Sequence, residues 1–445
     1  MRILLVTNGY PPTAYGGVET YTHSLAQTLH AADHDVRVFC RESDQDRPDR
    51  EIIPDEVDGI PVTRVVNDFK EITTFRDTYV DEGIRTIFLN LIQADRPDII
   101  HYQHWIALSA DLPRAAEGFA IPSLATLHDY WALCHRVHLQ DWRRRRCPGP
   151  RQGGDCYRCV VGSARARAWL RQFLRWGKRT TIGRFGQRVR RSVFRDAQSV
   201  MALTGTRSDF DQRFQVFHEN LSVMDHILTP SNHVRVIFEA NSYDASGFNV
   251  LPLGVDELKV SGLTTSFPNP IRLAYIGSVL PGKGLHVLLE ALSRVRSHRF
   301  VLDVFGRMDA DPVYGRRITK LARRDSRVNL KGPFGVEEKE EIYATIDLLI
   351  IPSIVPETFS LVAREALLNG TPVIASRVGA LPEIILDGVN GYLFTPGDAD
   401  ELAGILNELD RQPERLRELD IPGPVPIISK EEHAEALLRI YRELR

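Results

Sequence analysis

The sequence predicts an α/β protein of two domains, each a mainly parallel sheet covered by helices on both faces. Two observations predict it. Short apolar runs of strand character alternate with helix-period segments. The whole alternation then occurs a second time, after a linker at Ser261-Gly262 and Ser266-Phe267-Pro268-Asn269-Pro270, where proline and glycine favour a boundary. A chain of 445 residues is long enough for two or three domains of ordinary size.

The elements follow in order. Ile3 to Val6 reads as the first strand. A loop from Asn8 to Gly17 follows, with two prolines and the Gly16-Gly17 pair. A helical pattern runs from Glu19 to about Ala32, and Val36 to Phe39 is the next strand. Ile99 to Tyr102, Ser123 to Leu127, His226 to Thr229 and Val250 to Leu253 complete the first set of strands. Between Val160 and Met224 the pattern is long, helical and irregular, as expected of an insertion. The second set begins with the strand Ile271 to Ile276, the turn Gly277 to Gly284 and the helix Leu285 to Val295. Val301 to Phe305, Val328 to Leu330, Leu348 to Ile351 and Val373 to Ala375 are its further strands. The tail from Lys430 to Arg445 is an amphipathic helix, with Ala434, Leu437, Leu438, Tyr441 and Leu444 on one side. The expected division is 1–260, with a Cys-rich loop at about 134–159 and a basic helical insertion at about 160–224; then 269–423; then a helix at 429–445. Both parts are Rossmann-like, facing across a cleft, with ligands at the carboxyl ends of the strands.

Bulk properties exclude little. Hydrophobic residues at 43% and charged residues at 26% are ordinary for a globular protein. Lys and Arg number 56 against 58 for Asp and Glu, so net charge gives no sign of a nucleic-acid partner. The apolar run Ile3 to Val6 is too short for a signal-peptide core, and no stretch has the length of a membrane-spanning helix. The expected location is therefore the cytoplasm. Five cysteines in a chain of this size do not suggest a disulfide framework.

Four segments carry chemistry. The first runs from Pro352 to Glu365 and joins a strand to a helix ending near Gly370. Backbone N–H groups at Phe359, Ser360 and Leu361 would open that helix and make an anion site. Glu357 precedes the helix and can project into the cleft, while Glu365, about two turns in, can accept from a ribose diol. The alternative is a solvated pair of surface glutamates. The second segment is Gly277-Ser278-Val279-Leu280-Pro281-Gly282-Lys283-Gly284. Its glycines admit a phosphate and Lys283 supplies a point charge. The spacing is not that of a Walker A loop, and a plain glycine-rich turn is the alternative. The third is Gly16-Gly17-Val18-Glu19, where backbone can approach a phosphate or a sugar without forming the dinucleotide fingerprint. The fourth is His128-Asp129 at a strand's carboxyl end. Such a histidine bonds a sugar hydroxyl or carries a proton, or is satisfied by loop backbone. His101 and His104 stand in a similar place on the preceding strand.

Taken together, these segments make the chain resemble glycosyltransferase family 4, the retaining enzymes of the GT-B fold. The best marker is the Glu-x7-Glu arrangement of Glu357 and Glu365. The Gly16-Gly17 loop, the Lys283 turn and Pro352-Ser353 support it, as do Val378-Gly379-Ala380-Leu381-Pro382-Glu383, Asn390-Gly391-Tyr392-Leu393-Phe394 and Pro252-Leu253-Gly254-Val255-Asp256. The resemblance implies a hexosyltransferase-like enzyme using a nucleotide sugar as co-substrate and a saccharide or lipid-linked acceptor. Such enzymes commonly serve cell-surface polysaccharide or glycolipid biosynthesis. It implies that Glu365 holds the donor ribose, Lys283 neutralises the diphosphate, and Glu357 with Phe359, Ser360 and Leu361 holds the transferred sugar and the phosphate. His128 would lie near the sugar hydroxyls, Gly16 and Gly17 near donor phosphate and acceptor, and the final helix would cross back to the first domain. One residue departs from the pattern: the family usually has an arginine where Ser278 stands, which removes a charge-assisted contact to the diphosphate. Arg307 and Arg364 are candidates to replace it.

The resemblance also implies a mechanism. A retaining glycosidase needs two carboxylates about 5 Å apart, and the matched motifs offer no such pair at one anomeric carbon. The family is thought to react on one face of the sugar, the departing phosphate taking the acceptor's proton. Catalysis then rests on stabilising the leaving diphosphate and positioning the acceptor, with domain closure excluding water. No cofactor or metal is required for it. Asp309-Ala310-Asp311 and Asp398-Ala399-Asp400 read as loop acids.

Two features lie beyond these motifs. Cys134, Cys147, Cys156 and Cys159 cluster in a loop rich in Gly, Pro and Arg, and the last two have metal-ligand spacing. Four thiolates suit a structural zinc; free thiols or a redox pair are the alternatives, and Cys40 reads as core. From Val160 to Arg195 there are ten arginines, one lysine and no acid, with Trp169, Phe173 and Trp176 at helical spacing. Such a segment can lie on an anionic membrane surface at the inner face of the membrane, or pack on its own domain with a solvated basic face. A nucleic-acid partner is not expected. The competing functions are a nucleotide-sugar epimerase of related fold, a sugar phosphorylase, for which no pyridoxal lysine motif stands out, and a non-catalytic two-lobed sugar binder.

Overall fold

The structure is a computed structural model that describes residues 1–143, 145–161, 205–256, 270–335 and 338–445. The chain divides into two compact units: Met1–Pro230 with Val234–Leu251 and Lys430–Arg445, and Ser231–His233 with Pro252–Ser429.

The first unit is built on β1 (Arg2–Thr7), α1 (Gly17–Ala31), β2 (Asp35–Glu42), β3 (Ile52–Val57), β4 (Ile60–Val66) and α2 (Glu82–Ala94). It continues with β5 (Ile99–Tyr102), α3 (Leu112–Ala116), β6 (Ser123–Thr126), α4 (Arg207–Ser222), β7 (His226–Thr229), α5 (Asn232–Ala240) and β8 (Phe248–Val250). The sheet order is β3-β4-β2-β1-β5-β6-β7-β8. Every pairing is parallel except β3 with β4. That exception is a hairpin turned by Asp58 and Gly59, both at positive φ (53° and 78°), as a two-residue turn matching strand twist requires. The Asp-Gly pair between alternating Ile and Val residues was its sequence signal. The expected strand from Val250 to Leu253 ends instead at Val250, because Pro252 has no N–H to donate. Thr206 and Asp209 form a capping box that starts α4. The rest of the expected basic insertion, and with it the membrane-binding segment beyond Val161, lies outside the described residues.

The second unit has β9 (Ile271–Ile276), α6 (Leu285–Arg294), β10 (Phe300–Phe305), α7 (Pro312–Ala322), β11 (Val328–Gly332) and α8 (Lys339–Thr345). Then come β12 (Leu348–Ile351), α9 (Leu361–Leu368), β13 (Val373–Ser376), α10 (Leu381–Ile384), β14 (Gly391–Phe394) and α11 (Ala399–Arg411). The order is β11-β10-β9-β12-β13-β14, parallel throughout. Alternation along β9 divides the core: Leu273 and Tyr275 join one cluster, Ala274 and Ile276 the other. A strand buried on both faces this way reads as a continuous apolar run, which is why its limits are legible in the sequence. Each fully buried large side chain contributes about 1.5–3 kcal/mol. The two Asp-x-Asp sequences are accounted for locally. Asp311 accepts from the amides of Val313 and Tyr314, Asp398 from those of Asp400 and Glu401, and Asp309 pairs with Arg307; the first two are helix caps.

The last helix, α12 (Lys430–Leu444), belongs to the first unit, burying Ala434, Leu437, Leu438 and Tyr441.

Strand order decides where chemistry can gather. In each sheet the chain runs outward on one side of a central strand and returns on the other, so a switch point opens between β1 and β5 and another between β9 and β12. In open α/β sheets such a point, at the carboxyl edge, is where ligands gather. In the second unit the two loops are held together without a side chain between them. Gly284 has φ +72°, and a Cβ there would stand 1.7 Å from the Pro352 carbonyl oxygen. Gly284→Ala should therefore destabilise the protein by more than about 2 kcal/mol, combining a left-handed backbone and a backbone clash. Gly404→Ala, on the exposed face of α11 where a Cβ meets nothing within 4 Å, should instead stabilise by about 0.5–1 kcal/mol. Chemical denaturation of both variants checks the pair.

Candidate active site

At the second unit's switch point, the turn after β9 and the loop after β12 bring Lys283 and Glu357 together. Lys283 Nζ donates to both carboxylate oxygens, at 2.8 and 2.9 Å. The Ser353 hydroxyl makes a short hydrogen bond to the same carboxylate. Amides of Ile354 and Val355 donate to the Gly282 carbonyl at 2.8 and 3.3 Å, stitching the two loops. The third loop, after β13, closes on the other side. Ala380 N donates to Glu357 O at 2.8 Å, and a Cβ on Gly379 (φ +63°) would stand 2.2 Å from that oxygen. Glu357 is thus fixed in backbone and side chain.

Just beyond it, α9 opens at Ser360 with no side-chain cap. Ser360 sits at φ 64°, a left-handed conformation uncommon outside glycine, and its buried hydroxyl has no hydrogen-bond partner. Uncapped N–H groups and the helix dipole make this end a place for an anion. Phe359 is buried and Leu361 half-buried. Arg364 does not reach outward. Its guanidinium lies 3.5 Å from the Phe359 ring centroid and donates to the Phe359 carbonyl, and burial lowers its pKa to about 9. It braces the loop from within. Arg307 is largely exposed and paired with Asp309. Ser278, where the family has an arginine, is exposed, and its carbonyl accepts from the Tyr275 hydroxyl at 2.9 Å.

Glu365 is buried on α9. Lys339 Nζ donates to Oε1 at 2.5 Å and the Tyr343 hydroxyl to Oε2 at 2.9 Å. Burial and this carboxylate raise the Tyr343 pKa, so the phenol stays a donor. Sequence reasoning passed over Lys339 and Tyr343. Their only signal was the i, i+4 spacing on α8, which is common on any helix.

In the first unit, the ends of β1, β5 and β6 carry Asn8, Gln103, His104 and His128. His128 is buried, and its Nε2 lies 2.8 Å from Gln103 Oε1. Gln103 Nε2 lies 3.0 Å from His101 Nδ1, which also takes the Tyr441 hydroxyl at 2.6 Å. His101 Nε2 reaches Thr126 Oγ1 at 2.8 Å. With the amide oxygen as acceptor, His128 carries its proton on Nε2 and presents Nδ1 as an acceptor. Burial lowers the His128 pKa to about 3, with neighbouring His104 adding to the effect. The ring is therefore neutral at working pH. His101, buried too, is lowered well below its ordinary value. His104 behaves oppositely. Burial opposes its charge, but Asp129, 2.6 Å away, and Glu19 outweigh this and raise its pKa. Tyr21 stacks near His128 at 5.0 Å and bonds His433 of α12 at 2.5 Å.

The Gly16-Gly17 pair starts α1. A Cβ at Gly17 would meet nothing within 4 Å, and one at Gly16 would meet chiefly the flexible Glu19 carboxylate. Chain packing does not demand glycine at 17, which leaves bare backbone facing open space.

The four cysteines of the 134–159 loop line one cavity. As the side chains lie, no group of three or more His, Cys, Asp or Glu among the described residues is arranged to hold a metal ion. Burial pushes the Cys156 and Cys159 thiols up, to about 12 and about 11, opposite to the depressed thiol of a redox pair. Cys40 is buried in the core. Among the described residues no helix is long and apolar enough to cross a membrane.

The histidine chain sets a pH response. His128 titrates near 3 when folded and about 6.5 when unfolded. Between those values the unfolded state binds more protons, so its contribution is complete above pH 6.5 and is lost as pH falls toward 3. Moving from pH 7.5 to 5.5 should cost about 1 kcal/mol through this residue alone. Urea unfolding of the parent and His128→Asn at both values measures it; an equal loss in the two would show that His128 is not held neutral.

Known proteins resemble this chain in both of its units. The family model for Glycosyl transferases group 1 matches residues 270–411, and that for Glycosyltransferase Family 4 matches residues 15–184. An MMP alpha-(1->4)-mannosyltransferase of Mycolicibacterium hassiacum is 34% identical over 44% of this chain and 48% of its own length, so the match spans about half of that relative. A glycogen synthase of Mycobacterium tuberculosis is 23% identical over 92% of this chain and 86% of the relative. The sucrose-phosphate synthase of Thermosynechococcus elongatus superposes with TM-score 0.65 at 20% identity, over 99% of this chain and 98% of that one. Its fold is GT-B, two parallel-sheet α/β domains. With its two matched halves, its doubly repeated sheet and the Lys283–Glu357 crevice, the chain belongs to glycosyltransferase family 4 and is a glycosyltransferase.

Proposed function

We propose that the protein is a retaining transferase that moves a hexose from a nucleoside-diphosphate sugar to a saccharide or lipid-linked acceptor, in assembly of a cell-surface polysaccharide or glycolipid. The observation that carries this reading is the Lys283–Glu357 pair beside the uncapped start of α9. Lys283 is the mobile cation for the diphosphate, and the amides from Phe359 to Leu361 take the phosphate oxygens. With Ser278 in the arginine position, Lys283 is the principal side-chain charge for the leaving group. Glu365 accepts the ribose diol. A carboxylate has about four acceptor sites, and Lys339 and Tyr343 occupy two of them. His128, neutral, accepts from a sugar hydroxyl through Nδ1. Gly16 and Gly17 bring backbone to the donor phosphate and the acceptor.

The way Glu357 is held supports a same-face course without a protein nucleophile. Both its oxygens are held by Lys283, with Ser353 on Oε1 as well, so it positions a sugar hydroxyl and is not a nucleophile. The departing phosphate takes the acceptor's proton on the same face, and rate comes from stabilising that phosphate and orienting the acceptor. Relatives named for mannosyl, glycogen and sucrose-phosphate synthesis favour a hexose donor. The lipid-linked acceptor rests on the arginine-rich composition of residues 160–195.

Thermal stabilisation by a panel of UDP, GDP, ADP and their sugars should single out one nucleotide, because a ligand bound only by the folded state raises its stability. Glu365→Ala should lose that shift. A variant that keeps it would remove Glu365 from the ribose site. Lys283→Ala should cut kcat/KM by about 100-fold or more, by analogy with removal of one transition-state donor. Its stability cost should stay under about 1 kcal/mol, since its side chain is 38% exposed. Nucleoside diphosphate release that needs no acceptor and leaves an epimerised sugar would instead favour the epimerase reading.

A further inference from the structure

We infer that Cys134, Cys147, Cys156 and Cys159 are the ligands of one structural zinc ion.

The first observation is convergence. Cysteines up to 25 positions apart line a single cavity of about 590 Å³. As the side chains lie, no three of the thiols yet form a ligand set, so what the cavity supplies is the shared space into which they can turn. The loop is shaped to bring them there. Gly149 and Gly153 take positive φ (107° and 87°), and Gly154 N donates to Gly149 O at 2.9 Å. A Cβ on Gly154 would stand 2.9 Å from the Cys147 sulfur, so the turn passes directly against that thiol. Asp155 accepts from Arg158 N at 2.8 Å, starting the turn that carries Cys156 and Cys159.

The second observation concerns the backbone that carries the sulfurs. Cys147 N donates to Leu139 O at 2.8 Å and Cys159 N to Asp155 O at 2.9 Å, so both stretches of the loop are fixed before any ligand binds. A preset backbone leaves only side-chain rotation to complete a metal site.

The third is charge. Four thiolates around a divalent ion carry a net charge of about −2. The cavity is lined by Arg136, Arg143, Arg145, Arg146 and Arg158, against Asp141 and Asp155 alone. Those two acids are paired, with Arg145 and Arg207. Such a wall repels a hard cation seeking carboxylates and favours a dianionic thiolate centre, which selects a soft, tetrahedral metal. Binding draws the thiols inward by rotation of their side chains, toward Zn–S distances of about 2.3 Å. The ion would then tie the loop to the segment that follows His128, where Cys134 N already donates to Tyr130 O at 2.6 Å.

The test is the metal content of the full chain, purified under reductant without chelator and dialysed against zinc, then against metal-free buffer. Elemental analysis should find close to one zinc per chain, released on blocking the thiols. Cys156→Ser with Cys159→Ser should lose it, and Cys40→Ser should keep it. Should the double variant fail to fold, cobalt loaded into the parent protein should give the intense visible bands of tetrahedral thiolate coordination. A folded parent chain without zinc overturns the proposal. So do zinc retained by the double variant, octahedral cobalt, and recovery of the four cysteines as disulfides.

Discussion

The candidate site depends on one close approach, the turn after β9 lying against the loop after β12 with no side chain between them. Because Gly284 has no Cβ, the Lys283 turn can rest on the Pro352 carbonyl. Parallel strands on either side of the switch point supply the two loops, and the glycines set their separation. Glu357 then has no freedom. Its backbone is pressed by Gly379, its carboxylate is held by Lys283 and Ser353, and the loop that continues from it opens α9. An ion pair half open to water contributes little to stability. Its effect is to hold a cation beside an uncapped helix start in one geometry.

The two units solve different electrostatic problems. The second holds charge that is poised to be shared: a lysine with two bonds to one carboxylate, and a buried glutamate with acceptor capacity left after Lys339 and Tyr343. The first suppresses charge along its histidine chain. His128 and His101 are buried neutral in a run of hydrogen bonds that ends on Tyr441, while Asp129 raises the pKa of His104 beside it. A ring fixed in one tautomer keeps one nitrogen as an acceptor over the whole working pH range.

Much of this was legible in the sequence, for identifiable reasons. Buried parallel strands are apolar on both faces, so Ile99 to Tyr102, Ile271 to Ile276 and Leu348 to Ile351 stand out as runs. The β3–β4 hairpin was passed over because its outer residues alternate with polar ones and its signal is the single pair Asp58-Gly59. β14 lies inside the Asn390 to Phe394 match, too short to declare itself a strand. Glu357, Lys283 and Glu365 were singled out as candidates because their motifs are local. Lys339, Tyr343, Gln103 and Tyr441 were not, because their roles are contacts across the fold: Tyr441 meets His101 at a separation of 340 positions. The inward turn of Arg364 was equally out of reach, since sequence places a guanidinium on a helix without saying which way it faces.

Helix α12 has a consequence for how the protein is made. Its fifteen residues complete a unit whose helix α1 is made 412 positions earlier, the separation of Tyr21 from His433. Until they leave the ribosome, His101 lacks the Tyr441 hydroxyl and Tyr21 lacks His433, and the face of α1 that α12 covers stays wet. The unit encoded between them is whole before that. Biogenesis of these two units therefore runs against the usual N-to-C order: the second can settle first, and the first waits for α12. A chain stalled before α12 would then leave the first unit open to quality control.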